Sequence, residues 1–156
     1  MQVEVEGKSE ELIFRGIEKR DAQELSEIEQ ETFAMPWSRE SFWQEAENTN
    51  AEYVIAQAGG RILGYAGAWI SYEEAQVTNV AVRQEYRGRG IGSAIFEEII
   101  RRVKERGARA ITLEVRVSNE AAIKLYEKYG LRGVGKRPHY YLDNDEDALI
   151  MWNTKI

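Results

Sequence analysis

The feature that most constrains this chain is a glycine-rich loop, Arg87-Gly88-Arg89-Gly90-Ile91-Gly92, between a predicted strand and a predicted helix. The strand is predicted at about 75–82. A helix is predicted after the loop because apolar residues recur every four positions from Ile91 to Val103, which gives it one buried face. Such a loop exposes backbone N–H groups at a helix N-terminus, where the helix dipole favours anions. Because a side chain at a glycine position would hold a phosphate away from those amides, the pattern indicates an anion-binding loop.

The loop departs from two common phosphate-binding motifs. A P-loop needs a Lys before its Ser or Thr, whereas Gly92 precedes Ser93 here. In a dinucleotide fingerprint counted from Gly88, the third glycine would fall on Ser93. Glu114 lies about the right number of residues downstream of the loop for the acidic residue that contacts the ribose. However, the loop follows a hairpin and does not open a βαβ run. A turn without any ligand would not require three glycines and two arginines.

The rest of the chain predicts a mixed α/β fold, a central mixed β-sheet with helices on both faces, in the order β-α-α-β-β-β-α-β-α-β-β. Gly59-Gly60 is a strong hairpin signal, since both glycines tolerate positive φ. Ile111, Leu113 and Val115 alternate with polar residues, so one face of that strand is buried. The other predicted elements are a strand at 12–17, helices that start after Asp21, Ser38 and Ser118 or Asn119, and strands at 131–136 and 147–152.

Length, charge and the ends of the chain limit the class of protein. At 156 residues we expect a single domain over 1–156, with the acidic residues 1–11 as a flexible N-terminal extension. The net charge of −6 argues against a nucleic-acid partner, although residues 83–106 carry seven basic against four acidic residues. No apolar run reaches the ~18–20 residues of a membrane span, and the start lacks the pattern of a signal peptide. We therefore expect no membrane partner and a cytoplasmic location.

Cysteine and histidine usage limits the chemistry. The chain has no Cys, so a thiolate nucleophile, a disulfide and a Cys-ligated zinc site are all excluded. A single histidine, His139, makes a His-based triad or a multi-His metal site improbable, and we expect no metal. We assign His139 no catalytic role, since a lone exposed histidine is usually incidental.

These motifs resemble the GNAT N-acetyltransferases, which bind acetyl-coenzyme A. Arg87-x-x-Gly90-x-Gly92 looks like the pyrophosphate-binding motif of that family, and the element order matches its fold over essentially the whole chain. Further segments resemble the RimI-like subfamily, which acetylates protein α-amino groups, including ribosomal protein N-termini. These segments are Phe33-x-x-Pro36-Trp37-Ser38, Asn79 to Val82, Leu113 to Tyr126, and Tyr140-Tyr141 with Glu146-Asp147-Ala148.

The resemblance implies roles for particular residues. Glu114 matches the general base and Tyr126 the general acid that protonates the coenzyme A thiolate. Tyr140 and Tyr141 would border the peptide groove. The acetyl-CoA contacts would come from Val80, Ala81, Val82, Arg87, Gly88, Arg89, Gly90, Ile91, Gly92, Ser93 and Asn119. The implied activity is direct transfer from acetyl-CoA to a protein N-terminus, with a ribosomal protein as a possible substrate.

Each residue also has a structural interpretation. From the pattern alone, Glu114 could be a solvated strand residue, Tyr126 a core aromatic and Asn119 a helix cap. Tyr140 and Tyr141 could simply pack in their hairpin. The four acids Asp143, Asp145, Glu146 and Asp147 could attract a basic peptide or form a solvated turn. Two other functions stay open at this point: a GNAT enzyme that acts on a lysine or a small amine, and a catalytically silent acyl-CoA-binding module.

Overall fold

A seven-stranded mixed sheet and four α-helices make up most of the chain in a computed structural model that describes residues 1–156. The strands are β1 Gln2–Val5, β2 Lys8–Glu11, β3 Ile13–Arg15, β4 Ala51–Ala58, β5 Arg61–Ser71, β6 Glu74–Val82, β7 Ala110–Arg116, β8 Arg132–Arg137 and β9 Ala148–Asn153. The helices are α1 Ala22–Thr32, α2 Arg39–Ala46, α3 Ile91–Glu105 and α4 Glu120–Lys128. From β3 onward the predicted order is confirmed, with boundaries shifted by one or two residues.

The strands are arranged in the order β3-β4-β5-β6-β7-β9-β8, and only β6 and β7 pair in parallel. Two apolar clusters confirm the predicted layers. On one face, Ile95 and Ile99 of α3 pack against strand residues such as Val54 and Ala66. On the other face, α1 and α2 bury residues such as Leu25 against alternate strand positions. The alternation of buried and partly exposed residues predicted for β7 is also confirmed.

The first eleven residues are not the flexible extension that the sequence analysis expected. They form an antiparallel hairpin in which β1 pairs with β2. Val3 and Val5 are each only 5% exposed and join the α3-face core, whereas Glu4 points outward. The turn at Glu6-Gly7 has positive φ at both residues. The high acidic content hid a two-residue alternation of Val and Glu, which is the pattern of a half-buried strand.

Local helix signals were confirmed in part. Ser38 caps α2 as predicted, since its Oγ accepts a hydrogen bond of 3.2 Å from the backbone N–H of Ser41. Asp21 occupies the N-cap position of α1, but its carboxylate does not cap the helix. Instead it accepts two hydrogen bonds from Arg15, of 2.8 and 2.9 Å. No helix of the structure combines the length and apolar character needed to cross a bilayer.

A β-bulge in β6 sets which side chains face each layer. Gly67 of β5 pairs with Asn79, whereas its neighbour Ala68 pairs with Val77, so Thr78 is an extra residue on β6. Val77 therefore packs on the α3 face, and Asn79, at the next odd position, lies on the opposite face. Bulges of this kind re-aim side chains and end regular pairing.

Candidate active site

A gap in the sheet lies beside the bulge. The parallel pairing of β6 with β7 covers only 74–76 and 110–112. Beyond it, β6 continues along β5 to Val82, and β7 continues along β9 to Arg116. Val80 and Val82 pack at the edge of the α3-face core, and Ala81 is 3% exposed on the other face. The predicted segment 80–82 therefore borders a cleft between two strands that have separated.

The glycine loop lies at the end of β6 and leads directly into α3. Gly88 and Gly90 have φ of +77° and +82°, a left-handed conformation that favours glycine. A Cβ added at either position would meet nothing within 4 Å, so the outer surface of the loop is open. The first turn of α3 carries no acidic residue. Both observations fit an anion-binding helix N-terminus. Ile91 is 1% exposed, so only its backbone can contribute.

The two loop arginines are already held by the protein. Arg87 Nε donates to the carbonyl oxygen of Val82 at 2.9 Å, and Nη2 donates to Thr32 Oγ1 at 3.2 Å. Arg89 donates to the carbonyl oxygens of Glu4 and Glu85 at 3.3 Å each. These bonds brace the loop against the N-terminal hairpin and α1. Both guanidinium groups still add positive charge beside the loop amides.

Ser93, in the first turn of α3, connects this helix to α4. Its Oγ lies 2.7 Å from Tyr129 Oη and accepts a hydrogen bond of 3.1 Å from Lys128 Nζ. Lys128 is a cation near the N-terminus of α3 that was not selected from the sequence. The sequence around it, Lys-Tyr-Gly at the end of a helix, is too common to indicate that Lys128 lies near the glycine loop.

Glu114 is the best-defined acidic group at the cleft. It projects from β7 on the face opposite Leu113, as predicted, and its side chain is 16% exposed. Oε1 lies 3.3 Å from Arg137 Nε of β8. Oε2 is buried and has no hydrogen-bond partner in the protein. Since buried polar atoms are nearly always paired, an orphaned carboxylate oxygen beside a cleft indicates a place for a donor from outside the chain.

Tyr126 lies on α4 and is 8% exposed. Its ring packs on Phe96 of α3 with centroids 4.9 Å apart, as its core interpretation predicted. Its hydroxyl makes no hydrogen bond within the protein, and burial, with a smaller contribution from Tyr141, raises its pKa to about 12. The phenol is therefore a neutral donor at any physiological pH.

Tyr140 and Tyr141 lie in the loop between β8 and β9, with ring centroids 5.1 Å apart in an edge-to-face contact. Burial raises the pKa of Tyr140, and both the negative charge of Glu114 and a hydrogen-bonding interaction of the Tyr140 hydroxyl with that carboxylate, too weak in geometry to count as a bond, add to the shift. Burial raises the pKa of Tyr141 to about 12, although the Arg116 guanidinium, 4.0 Å from its ring centroid, acts in the opposite direction. These mutual effects place the two tyrosines within electrostatic range of Glu114, and Tyr141 within range of Tyr126.

The acids of this loop are bound internally. Arg116 pairs with Asp143 at 2.8 Å and with Glu146 at 3.4 Å. Asp145 Oδ2 lies 2.7 Å from His139 Nδ1, and the side chain of Asp147 accepts from the His139 backbone N–H at 3.0 Å. These contacts support the interpretation of the segment as a structural acidic turn.

Asn119 is the N-cap of α4, since its Oδ1 accepts from the Ala122 backbone N–H at 3.2 Å. The cap leaves the amide nitrogen Nδ2 uncommitted. Asn119 can therefore cap the helix and donate to a ligand at the same time, as the sequence analysis allowed.

The comparisons with known proteins identify the family. The family model described as "Acetyltransferase (GNAT) family" matches residues 22–131. The chain belongs to the GNAT acetyltransferase family. A Bacillus subtilis (strain 168) protein, named as a candidate ribosomal protein bS18-alanine N-acetyltransferase, is 44% identical over 90% of this chain and 93% of its own.

Two comparisons with Escherichia coli proteins agree. The ribosomal protein bS18-alanine N-acetyltransferase of strain K12 is 37% identical over 86% of this chain and 92% of its own. The crystal structure of the ribosomal-protein-S18-alanine N-acetyltransferase from Escherichia coli superposes with a TM-score of 0.86 at 32% identity. It covers 94% of this chain and 96% of that one. The resemblance stated from the sequence and the mixed α/β GNAT fold are thereby confirmed.

One buried polar network of this GNAT acetyltransferase was missed from the sequence. Glu29 of α1 is 1% exposed, and its carboxylate accepts hydrogen bonds from the Trp37 backbone N–H at 3.0 Å, from Tyr65 Oη, and from Asn79 Nδ2 at 3.5 Å. Glu29 therefore links α1 to the segment that follows it and to Asn79, the residue before Val80 on β6. The available signal was a charged residue on the apolar face of α1, next to Ile28.

The residues at the cleft also suit a thioester cosubstrate with a pyrophosphate. Open glycines at the start of α3 can take the phosphates, the free edge at Val80 to Val82 can take an extended chain, and the orphaned Glu114 oxygen can take an amine proton. No group of three or more His, Cys, Asp or Glu side chains is placed to hold a metal ion.

Proposed function

We propose that this enzyme, acting as a single GNAT domain over 1–156, acetylates the α-amino group of a protein N-terminus with acetyl-CoA. The observation that carries the proposal is the buried, unpartnered Glu114 Oε2 beside the cleft between β6 and β7. Relatives at 37–44% identity over most of the chain, named for ribosomal protein bS18-alanine acetylation, support a ribosomal protein as the substrate. We infer that the reaction takes place in the cytoplasm, where ribosomal proteins are made.

Acetyl-CoA would lie along the carboxyl end of β6. The backbone of Val80, Ala81 and Val82 would hold the pantetheine arm and help to stabilise the oxyanion. The amides of Gly88 to Ser93 would bind the pyrophosphate at the N-terminus of α3, with charge added by Arg87 and Arg89. Asn119 Nδ2 would donate to the cosubstrate from the opposite side of the cleft.

The chemistry needs an amine that has lost its proton. An α-amino group has a pKa of about 7.7–8.0, against about 10.4 for lysine, so a carboxylate needs to give only modest help at neutral pH. Glu114 would accept that proton, directly or through one water. The amine nitrogen then attacks the thioester carbonyl carbon. A C–N bond forms, and the C–S bond breaks in the following step.

The leaving group is the coenzyme A thiolate, which has to be protonated. Tyr126 would donate that proton, since its hydroxyl is neutral and makes no competing hydrogen bond in the protein. Tyr140 and Tyr141 would flank the incoming peptide. Because the chain contains no Cys, a cysteinyl acyl-enzyme is excluded, and transfer takes place within one ternary complex.

The decisive experiment uses one peptide sequence in two forms, each containing an internal Lys: one with a free N-terminus and one with it blocked. Acetyl-CoA is supplied, and tandem mass spectrometry locates the acetyl group. We expect acetylation of the free N-terminus only. Acetylation of the Lys in the blocked form would replace this function with a lysine acetyltransferase activity. Binding of acetyl-CoA without turnover of either peptide or of small amines would indicate a silent acyl-CoA-binding module.

A further inference from the structure

A second pocket lies between α2 and the outer end of β5, separate from the residues assigned above. Its volume is about 270 Å³, and it is lined by Trp37, Ser41, Gln44, Glu45 and Trp69. Small-molecule sites are typically about 300–1,000 Å³, so this pocket suits a single side chain. Nothing in the acetyl-transfer chemistry requires it.

This pocket opens on the same face of the sheet as Glu114. Trp69 pairs with Gln76, and Gln76 pairs with Thr112, two residues before Glu114 on β7. The residues that precede Gln76 and Thr112 in sequence, Ala75 and Ile111, point the opposite way, into the α3-face core. Gln76 is exposed and Thr112 is half-buried, so an open strip of sheet surface connects the pocket with the base.

The walls of the pocket are two indole rings. Trp37 and Trp69 have ring centroids 6.2 Å apart and an angle of 30° between their planes. Trp69 is 42% exposed, so part of its ring is accessible to a ligand. The face of an indole ring is the strongest aromatic partner of a cation.

The floor of the pocket is a carboxylate that no cation of the protein neutralises. Glu45 is 8% exposed and accepts from Tyr53 Oη at 2.9 Å, Trp69 Nε1 at 2.6 Å and Asn48 Nδ2 at 3.0 Å. All three donors are neutral, and two of them share Oε1. A carboxylate has about four acceptor positions, so one on Oε2 is left. A buried carboxylate without a cation is costly, and a cationic ligand would offset that cost.

The distance from the base indicates which part of a substrate can reach this pocket. Neighbouring strands lie about 4.8 Å apart, and residues rise about 3.3 Å along a strand. Trp69 is two strands away from Thr112, and Glu114 is two residues further along β7, which gives about 12 Å in total. An extended peptide spans that distance in about four residues.

We propose that the Trp37–Trp69–Glu45 pocket binds the cationic side chain of a Lys or Arg at about the third to fifth position of the acetylated polypeptide. The inference rests on the proposed function, because it names a feature of the substrate at that same active site. The indoles contact the alkyl stem and the charge, and Glu45 Oε2 accepts a hydrogen bond from the ammonium or guanidinium group. The net charge of −6 favours the approach of such a basic segment.

The test is a peptide series with free N-termini in which one Lys is moved through positions 2–7 of an otherwise neutral sequence. For the unmodified enzyme, we expect KM to fall about tenfold when the Lys lies within positions 3–5, with kcat little changed. E45Q, which keeps the shape of the side chain, is expected to abolish that dependence on position. W69F, which removes the indole N–H, is expected to weaken it.

Two matched controls separate this pocket from general charge effects. E40Q removes one exposed carboxylate from the same helix, and W43F alters a tryptophan that is 44% exposed but does not line the pocket. Both should keep the full dependence on Lys position. An unmodified enzyme that acetylates all peptides with equal KM would overturn the inference and leave the proposed function intact. The inference is also refuted if E45Q keeps the dependence. Failure to acetylate any free N-terminus would reject the proposed function itself.

Discussion

Arg137 Nε of β8 lies 3.3 Å from Glu114 Oε1 of β7, although β9 lies between these two strands in the sheet. The ion pair holds one oxygen of the carboxylate and leaves Oε2 buried without a partner. A fixed carboxylate with one free oxygen is preorganised to accept a proton from a single direction. This arrangement supports the proposed role of Glu114 as the base.

The first prediction concerns Glu114. Replacing it with Gln keeps the shape but removes the proton acceptor, so kcat/KM for a free-N-terminus peptide should fall by about 10²–10⁴. Steady-state kinetics with saturating acetyl-CoA measure the effect. Glu127→Gln, at an exposed position of α4, is the matched control and should retain full activity. Unchanged turnover in Glu114→Gln would remove Glu114 from the mechanism.

The second prediction concerns Tyr126. Tyr126→Phe removes a hydroxyl that makes no hydrogen bond in the protein, so packing on Phe96 and stability should be nearly unaffected. We expect kcat to fall by about 10²-fold because the departing thiolate loses its proton donor, while KM for acetyl-CoA changes little. Tyr72→Phe, at a tyrosine that is 97% exposed, is the control. If both variants turn over at the rate of the unmodified enzyme, Tyr126 is only a core aromatic.

The third prediction separates the backbone role of the glycine loop from its binding role. Gly90→Ala places a Cβ on a residue with φ of +82°, which should cost about 1–2 kcal/mol of unfolding free energy. The same Cβ would stand on the open surface proposed for the pyrophosphate, so KM for acetyl-CoA should rise as well. Urea denaturation and acetyl-CoA titration measure the two effects.

Gly16→Ala is the control for this loop, since Gly16 also has open space around it but no positive φ. It should change neither quantity appreciably. A loss of stability in Gly90→Ala with an unchanged KM for acetyl-CoA would show that the glycine serves the turn alone.

The fourth prediction concerns pH and Glu29. Burial raises the pKa of this carboxyl more than its hydrogen bonds from Tyr65, Trp37 and Asn79 lower it. The folded state therefore holds the proton more tightly than the unfolded state. Its contribution to stability is full below the ordinary carboxyl range near pH 4.5 and is lost as pH rises through the raised folded value.

Glu29→Gln should remove that dependence. We expect the unfolding free energy of the unmodified protein to decline relative to the variant between pH 4 and pH 8, as measured by urea denaturation at each pH. Glu27→Gln, on the exposed face of the same helix, should follow the unmodified protein. A constant difference between Glu29→Gln and the unmodified protein across this range would contradict the assignment.

The local elements were predictable because their signals lie within a few residues. The Gly59-Gly60 turn, the Ser38 cap and the alternation of β7 each depend on neighbours in sequence, and each is found. The N-terminal hairpin was missed for a reason that is also local. Val3 and Val5 alternate with Glu residues, and the acidic composition outweighed that short alternation.

Relationships between distant residues were not predictable in the same way. The Arg137–Glu114 pair, the Glu29 network and the Trp37–Trp69 pocket join residues 23 to 50 positions apart. Each depends on the tertiary arrangement of distant elements, and the Glu29 network also depends on the extra residue Thr78, which reverses the faces of β6. A single bulge carries almost no signal in one sequence, since it is a local change of pairing register and needs no distinctive residue type.

Glu114 and Tyr126 were selected through the resemblance to the GNAT family. The sequence by itself determined the order of the elements from β3 onward, the glycine-rich loop at 87–93 and the absence of a thiol nucleophile. These are properties of residue type and short spacing, which persist in any conformation of the chain. Only the tertiary structure decided that Glu114 has one free oxygen, that the Tyr126 hydroxyl makes no hydrogen bond, and that Glu45 lacks a cation. Burial and neighbouring charge are set by what packs against a group, and packing is decided by the fold as a whole.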